Sequence, residues 1–383
     1  MENTAEIKTK QDMAPENKQN PTDNVEKTVK QQFDVLRPYH FLEDFKAESH
    51  NLMVFEQDPS KRRVWLQAMD IKFFGPATKE MFKTILEVTE RNENVDARLY
   101  IDAFSDTFFK EYTLVKKDLK EKKLSFKNFE ETFSQARIDL LIENGVDVEK
   151  VNPVKKLKDK IFFIKGRNHI KIYLVGDKIW IGGMNLTEEE FNKYEDFTVK
   201  ITDPRITEAV AKQFPQVNEN KPKSDYEVKC TDNTTLLVDS GKPKESIILD
   251  RATERVNRAQ KRVLLATQFM PEGKFLEALN KAHKRGVELV CLQSDPKADD
   301  IFARTLNLEN RLKGRAYPIP LTLLPGTKLH AKLLIVDDTA FFGSHNFSLT
   351  GVKAGTEEMD IMSTEPVLVN NLTGYFRELQ NIK

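Results

Sequence analysis

Apolar residues fall in short blocks along this chain, and the blocks recur in the same order twice. RVWLQAMDI (63–71) reads as a strand, ATKEMFKTILEVTERN (77–92) spaces Met81, Phe82, Ile85, Leu86 and Val88 along one helical face, and ARLYID (97–102) reads as a second strand. Together they predict a βαβ unit. A lysine-rich stretch at 116–145 is helical by pattern, with Phe129, Phe133, Leu140 and Leu141 on one side and its charges on a solvated face. Further on the pattern returns. SIILDRATERVNRAQ (246–260) predicts a helix, KRVLLATQFMP (261–271) a strand, EGKFLEALNKAHKRG (272–286) a helix closed by Gly286, and VELVCLQSD (287–295) another strand.

Laid side by side, RVWLQAMDI matches RVLLATQFM and ARLYIDAF matches VELVCLQSD, at a period of about 160 residues. That period is too long for a solenoid and suits a duplicated domain. The expected fold is therefore α/β, with two similar domains packed about a pseudo-twofold so that equivalent surfaces face each other. The first 37 residues are polar and poor in large apolar side chains, so they cannot offset their own ordering entropy and predict a disordered tail. Residues 38–215 form the first domain, the polar stretch QVNENKPKSDYEVKCTDNTT (216–235) a linker, and 236–383 the second domain.

Composition narrows the function. A chain of 383 residues can bury two cores, and its 60 lysines and arginines balance 60 aspartates and glutamates, so no overall positive field draws nucleic acid or an anionic membrane. Cys230 and Cys291 lie far apart without ligand spacing, which argues against a disulfide framework or a zinc site. No apolar run approaches the roughly 20 residues of a membrane span, and no secretory apolar segment opens the chain. A cytoplasmic protein, with peripheral membrane contact still compatible, is the expectation.

Two segments carry the chemistry: NHIKIYLVGDKIWIGGMNLT (168–187) and LHAKLLIVDDTAFFGSHNFS (329–348). Side chains i and i+2 of a strand share a face, so His330 projects with Lys332, and His169 with Lys171. A hairpin through Asp337–Asp338 would bring Ser344 and Asn346 beside the second pair, as Asn185 would stand beside the first. A histidine can attack phosphorus or protonate a leaving oxygen, while lysine and an asparagine amide donate to phosphoryl oxygens as charge builds. One copy supplies one histidine, and two facing copies supply a nucleophile and an acid. Downstream, EDFTVKI (195–201) and EEMDIMS (357–363) place Asp196 and Glu358 in equivalent positions, where each carboxylate can fix a histidine tautomer. His345 is out of phase and predicts a structural role, and His40, His50 and His283 have no partners in sequence.

These residues closely resemble the phospholipase D superfamily, whose signature HxKxxxxD followed by GSxN or GGxN occurs twice in most members. The second copy fits in full through His330, Lys332, Asp337, Gly343, Ser344 and Asn346. The first has Gly176 at the Asp position and Asp177 one place late, a change expected to cost local order more than chemistry, since that residue falls off the His/Lys face. The context looks most like the cardiolipin synthase-type branch, over residues 50 to 383. The resemblance implies duplicated phospholipase D-like domains, each a mixed β-sheet flanked by helices, with one active site at the interface. It also implies a phosphohistidine intermediate carried by His169, with His330 as acid and no metal or other cofactor. A phospholipid-directed phosphodiesterase or phosphatidyltransferase leads; a metal-independent nuclease and a catalytically weak phosphodiester-binding protein are the alternatives. No obligate protein partner is evident.

Overall fold

The computed structural model describes residues 32–56, 58–71, 75–91, 94–102, 142–143, 145–151, 167–218 and 222–382. Two mixed sheets, each with helices on its faces, form the body. The first half runs β1 (Phe33–Leu36), α1 (Pro38–Phe55), β2 (Arg63–Ala68), α2 (Pro76–Arg91), β3 (Asp96–Asp102), β4 (Asp147–Val151), β5 (Ile172–Val175), β6 (Lys178–Gly182), α3 (Glu188–Asn192), β7 (Tyr194–Glu195), β8 (Thr198–Ile201) and α4 (Pro204–Asn218). The second runs β9 (Tyr226–Lys229), β10 (Thr234–Ser240), α5 (Ile247–Arg258), β11 (Arg262–Ala266), α6 (Gly273–Lys284), β12 (Glu288–Ser294), α7 (Ile301–Lys313), β13 (Thr322–Leu324), β14 (Lys328–Leu329), β15 (Leu333–Val336), β16 (Thr339–Gly343), α8 (Leu349–Ala354), β17 (Glu357–Ser363) and α9 (Pro366–Gln380).

The sheet orders reveal the duplication. The first is β1-β8-β6-β5-β2-β3-β4 and the second β13-β12-β11-β15-β16-β17-β10-β9, so β10, β17, β16, β15, β11, β12 and β13 repeat β1, β8, β6, β5, β2, β3 and β4. In both sheets the βαβ strands pair in parallel, β2 with β3 and β11 with β12, while the motif hairpins are antiparallel. The outer faces are covered by each half's own helices. Phe41, Phe45, Met81 and Ile85 pack on Tyr173 and Trp180 in the first half, and Ile248, Val256, Phe275 and Leu279 on Leu334 and Phe341 in the second. The inner faces share one core. Ile172, Ile181, Phe197 and Val199 join Leu333, Phe342, Met359 and Ile361, sealed by Phe214 of α4 and Phe376 of α9.

Three expectations differ from what the chain does. Phe33–Leu36 belongs to a strand rather than to a disordered tail, because the alternation of FDVL buries Phe33 and pairs it with Ile201. The polar stretch 216–235 is not a plain linker: α4 extends to Asn218, and Tyr226–Lys229 forms an edge strand whose Tyr226 and Val228 pack on the shared core while the alternate residues face solvent. An edge strand exposed on one side has the composition of a loop. Thirdly, His169, Lys171, His330 and Lys332 lie just ahead of β5 and β15, in extended chain that has left its own sheet. Residues 1–31 of the predicted tail and most of the predicted 116–145 helix lie outside the described residues.

The motif-end positions Gly176 and Asp337 occupy one site in the two halves. Both turn in the left-handed region (φ 64° and 53°), and their amides donate to the carbonyls of Arg63 and Arg262 at 2.9 and 3.0 Å. Asp337 does more. Its carboxylate accepts the backbone N–H groups of Gln260, Lys261 and Arg262 at 2.9, 2.8 and 3.0 Å. Although burial pushes its carboxyl up, those three donors bring it below the ordinary 3.8. Asp177, by contrast, pairs with Lys61 and Lys178. The expected outcome for Asp337→Gly, which keeps an allowed backbone and deletes the cap, is a loss of about 1–2 kcal/mol with turnover intact. A depressed folded pKa gives stability that is present above the unfolded value and lost as pH falls through the folded one. Denaturant titration should thus find wild type and variant converging below about pH 4.

Candidate active site

Each His-x-Lys segment, having left its own sheet, pairs with the acidic strand of the opposite half. His169 N–H donates to the carbonyl of Glu357 at 2.9 Å, and His330 N–H to that of Glu195 at 2.9 Å. Asn168 forms a parallel bridge with Glu357, and β14 pairs in parallel with β7 through Lys328–Tyr194 and Leu329–Glu195. The one-residue step from Glu357 to Glu358, and from Glu195 to Asp196, then turns a carboxylate onto the histidine. Nδ1 of His169 lies 2.9 Å from Glu358 Oε2, and Nδ1 of His330 lies 2.8 Å from Asp196 Oδ2. The two tautomer-fixing pairs are crossed between halves, so neither half holds a complete histidine dyad. Contact through Nδ1 leaves Nε2 of each ring for chemistry.

The corners after the hairpins close the interface. Ser344 presents its carbonyl 3.0 Å from His169 Nδ1, and its hydroxyl accepts Met359 N–H at 3.0 Å. Gly183 must be glycine: a Cβ there would stand 2.8 Å from Asp196 Oδ1 and 3.1 Å from the carbonyl oxygen of His330. Asn185 is committed, donating to Glu190 Oε1 at 3.1 Å and accepting from Asp70 N–H at 3.3 Å. Asn346 is not. Thr267 holds its backbone carbonyl, while its buried Oδ1 has no hydrogen-bond partner. Asp337 lies at the far end of β15, away from these groups.

Lys171 and Lys332 are fully enclosed, and each ammonium donates to the carbonyl of the histidine two residues before it. Burial, and then the charge of Lys332, pulls Lys171 down to about 7, and burial likewise lowers Lys332. Burial also holds the His169 imidazole well below its ordinary 6.5, aided by the charges of Lys171, Lys332 and His330. The same exclusion of water pushes Glu358 up to about 7 and Asp360 well above the usual carboxyl range. A site that resents two adjacent ammonium charges when empty is relieved by an anion placed between them.

Sequence reasoning missed Glu190 and Asp360. Glu190, in the short helix α3, sits 3.0 Å from His330 Nδ1. The three consecutive glutamates 188–190 gave no sign of which one turns inward. Asp360 lies under the second corner, accepting His345 N–H at 3.0 Å. His345 itself accepts Phe347 N–H on Nδ1, a structural contact. Among the described residues, Glu190, Asp196 and His330 are the one group with donor atoms as close as metal ligands, within 4.8 Å. Their contacts are those of an imidazole N–H set between carboxylates that also face Lys171 and Lys332.

A duplicated mixed-sheet fold that crosses two His-x-Lys segments at its internal interface defines the phospholipase D class of protein. The chain belongs to the family described as cardiolipin synthase, PLD-like domain, which matches residues 58–218 and 253–380. Family members are phosphodiesterases and phosphatidyltransferases. No curated protein matches the chain in sequence. Among solved structures it is similar to phosphatidylserine synthase from Haemophilus influenzae Rd KW20, with a TM-score of 0.66 and 13% identity over 95% of this chain and 91% of that one. It is also similar to polyphosphate kinase from Porphyromonas gingivalis, with a TM-score of 0.58 and 11% identity over 93% of this chain and 52% of that one. At such identities the likeness is one of fold.

The enclosed lysine gives a signed prediction. Lys171 ordinarily titrates at 10.5 and falls to about 7 here, so between those values the unfolded chain binds the extra proton and stability rises with pH. Urea unfolding at about pH 7 and about pH 9.5 should show wild type gaining roughly 1–3 kcal/mol relative to Lys171→Met. Equal gains in the two proteins would contradict the assignment.

Proposed function

We propose that this protein cleaves or transfers phospholipid phosphodiesters through a phosphohistidine intermediate. The observation that carries the reading is the crossed pair of imidazole–carboxylate contacts around two enclosed lysines. His169, neutral at pH 7 because burial opposes its protonation, attacks phosphorus through Nε2. The phosphorus–oxygen bond to the leaving alcohol breaks as His330 gives that oxygen the proton on its own Nε2. Lys171, Lys332 and the Asn346 amide stabilise the charge on the phosphoryl oxygens, and Glu358 holds the Nδ1–H of the phosphorylated ring. Water or a second alcohol then attacks, His330 recovers the proton, and the phosphorus–nitrogen bond breaks. The balance closes without metal.

A lipid is favoured over nucleic acid by what surrounds the site. Ile301, Leu308 and Leu312 of α7, followed by Tyr317 and Leu323, are large and exposed. Arg304 and Arg315 flank them, together with Lys313, which pairs with Glu309. Lys328 links this segment to the centre, donating to Asp300 at 3.1 Å and to the hydroxyl of Tyr194 at 3.0 Å, whose ring lies 5.9 Å from that of His330. An apolar ridge with basic flanks suits a phospholipid surface. No helix among the described residues is long and apolar enough to cross a membrane.

The decisive assay incubates the protein with a phospholipid panel, with and without glycerol, beside single-stranded and duplex DNA. Head-group release, or transfer to glycerol, with DNA intact is the expected result; cleavage of DNA with every lipid untouched would overturn the substrate. EDTA should leave turnover unchanged, and restoration of a chelated enzyme by magnesium or zinc would refute the metal-free route. His169→Ala should abolish turnover of both a p-nitrophenyl diester and an alkyl diester. His330→Ala should spare the nitrophenyl substrate but lose about 10²–10⁴-fold on the alkyl one. The reverse pattern would exchange the roles.

A further inference from the structure

Asn185 and Asn346 are equivalent, and five residues beyond each the halves part company, with Glu190 in the first and Gly351 in the second. Glu190 is 1% exposed, and its Oε1 approaches His330 Nδ1 to 3.0 Å, the same atom that Asp196 Oδ2 meets at 2.8 Å. Asn185 Nδ2 donates to this Oε1 at 3.1 Å, while Oε2 is buried without a partner. At Gly351 a Cβ would meet nothing nearer than 3.6 Å and would stand 3.9 Å from Glu358 Oε1. The second half leaves ordinary contact distance for a Cβ at this position and carries no side chain there. His169 Nδ1 therefore meets one carboxylate and one neutral carbonyl, whereas His330 Nδ1 meets two carboxylates.

We propose that Glu190 is a positioning residue that makes the two histidines unequal, holding a second carboxylate against His330 Nδ1 where His169 Nδ1 meets a neutral carbonyl. The inference rests on the reaction proposed above and adds what assigns the acid. One Nδ1–H can serve one acceptor well, and Asp196 takes it. Glu190 then acts through its charge, held 3.0 Å from the ring and facing Lys171 and Lys332 as well. Around His330 stand Asp196, Glu190 and Tyr194, with Lys328 behind Tyr194, and His169, Lys171 and Lys332 complete the charged set. Lys328, Lys171, Lys332 and a protonated His169 can each carry positive charge near that ring. If Glu190 is neutralised, Asp196 remains on His330 Nδ1 and Glu358 on His169 Nδ1.

The test is a titration of the full chain with ¹³C-labelled histidine, resonances assigned by single His→Gln variants. Glu190→Gln keeps the shape and the Asn185 contact, and should lower the His330 midpoint by at least one pH unit, about tenfold in its proton dissociation constant. Glu190→Asp should recover part of that shift. In activity, the alkaline limb of the rate profile should move down by the same amount, and alkyl diesters should suffer about tenfold while the nitrophenyl diester is spared. A His330 midpoint unchanged in Glu190→Gln overturns the inference. If that variant does not fold, Gly351→Glu answers instead: it should raise the His169 midpoint, and an unmoved midpoint is equally fatal. Since the titration needs no substrate, a shifted midpoint in a protein that turns over no diester would sink the reaction and leave the role of Glu190 standing.

Discussion

The site depends on an exchange of backbone between the halves. His169 N–H binds the Glu357 carbonyl, and His330 N–H the Glu195 carbonyl, so each catalytic candidate is held by a strand of the other domain. The residue after each of those carbonyls supplies the carboxylate at Nδ1. Register across the interface and electrostatics of the site are thereby one constraint, because a slip of one residue would turn the carboxylate to the opposite face. The shared core beneath, with Phe197 against Phe342 and Tyr375, fixes that register by packing rather than by the polar contacts alone.

Enclosure follows from this arrangement and explains the shifted acidities. Two lysines buried to 1% and 0% exposure would be costly in a protein selected for stability alone. Here the carboxylates of Glu358, Glu190 and Asp196 partly compensate them, yet burial still prevails and Lys171 falls to about 7. The same water-free environment magnifies any charge placed between the lysines, which is the condition under which an anion is held and its developing charge stabilised.

Much of this was legible in the chain. The βαβ units showed because Met81, Phe82 and Ile85, or Phe275, Leu276 and Leu279, keep helical spacing between alternating strands, and the duplication showed because those blocks recur in order. His-x-Lys and its following corner could be paired for the same reason. What stayed hidden is whatever depends on the fold bringing distant positions together. Nothing local says that Asp196 serves His330 rather than His169, since the crossing arises only when segments leave their own sheets. Tyr226 and Val228 looked like loop because an edge strand buries alternate residues on one side alone. Glu190 was concealed by its neighbours, Glu188 and Glu189, and only its place in the first turn of α3 turns it inward.

Duplication produces two equal histidines, whereas a reaction that forms and breaks one phosphorus bond needs unequal ones. The inequality cannot come from the motifs, which are shared, so it must come from positions where the halves diverge around them. Near Nδ1 of His169 the carboxylate is the longer glutamate, pushed up to about 7 by burial, and His345 stands where the first half has Met184. Near Nδ1 of His330 the carboxylate is an aspartate, with Glu190 added opposite the vacant position of Gly351. Gly176 in place of a motif aspartate belongs to a different class of divergence. It removes a backbone cap at the far end of β5 and leaves the histidine's surroundings untouched, so a signature that is incomplete by its letters loses an anchor and keeps its chemical groups.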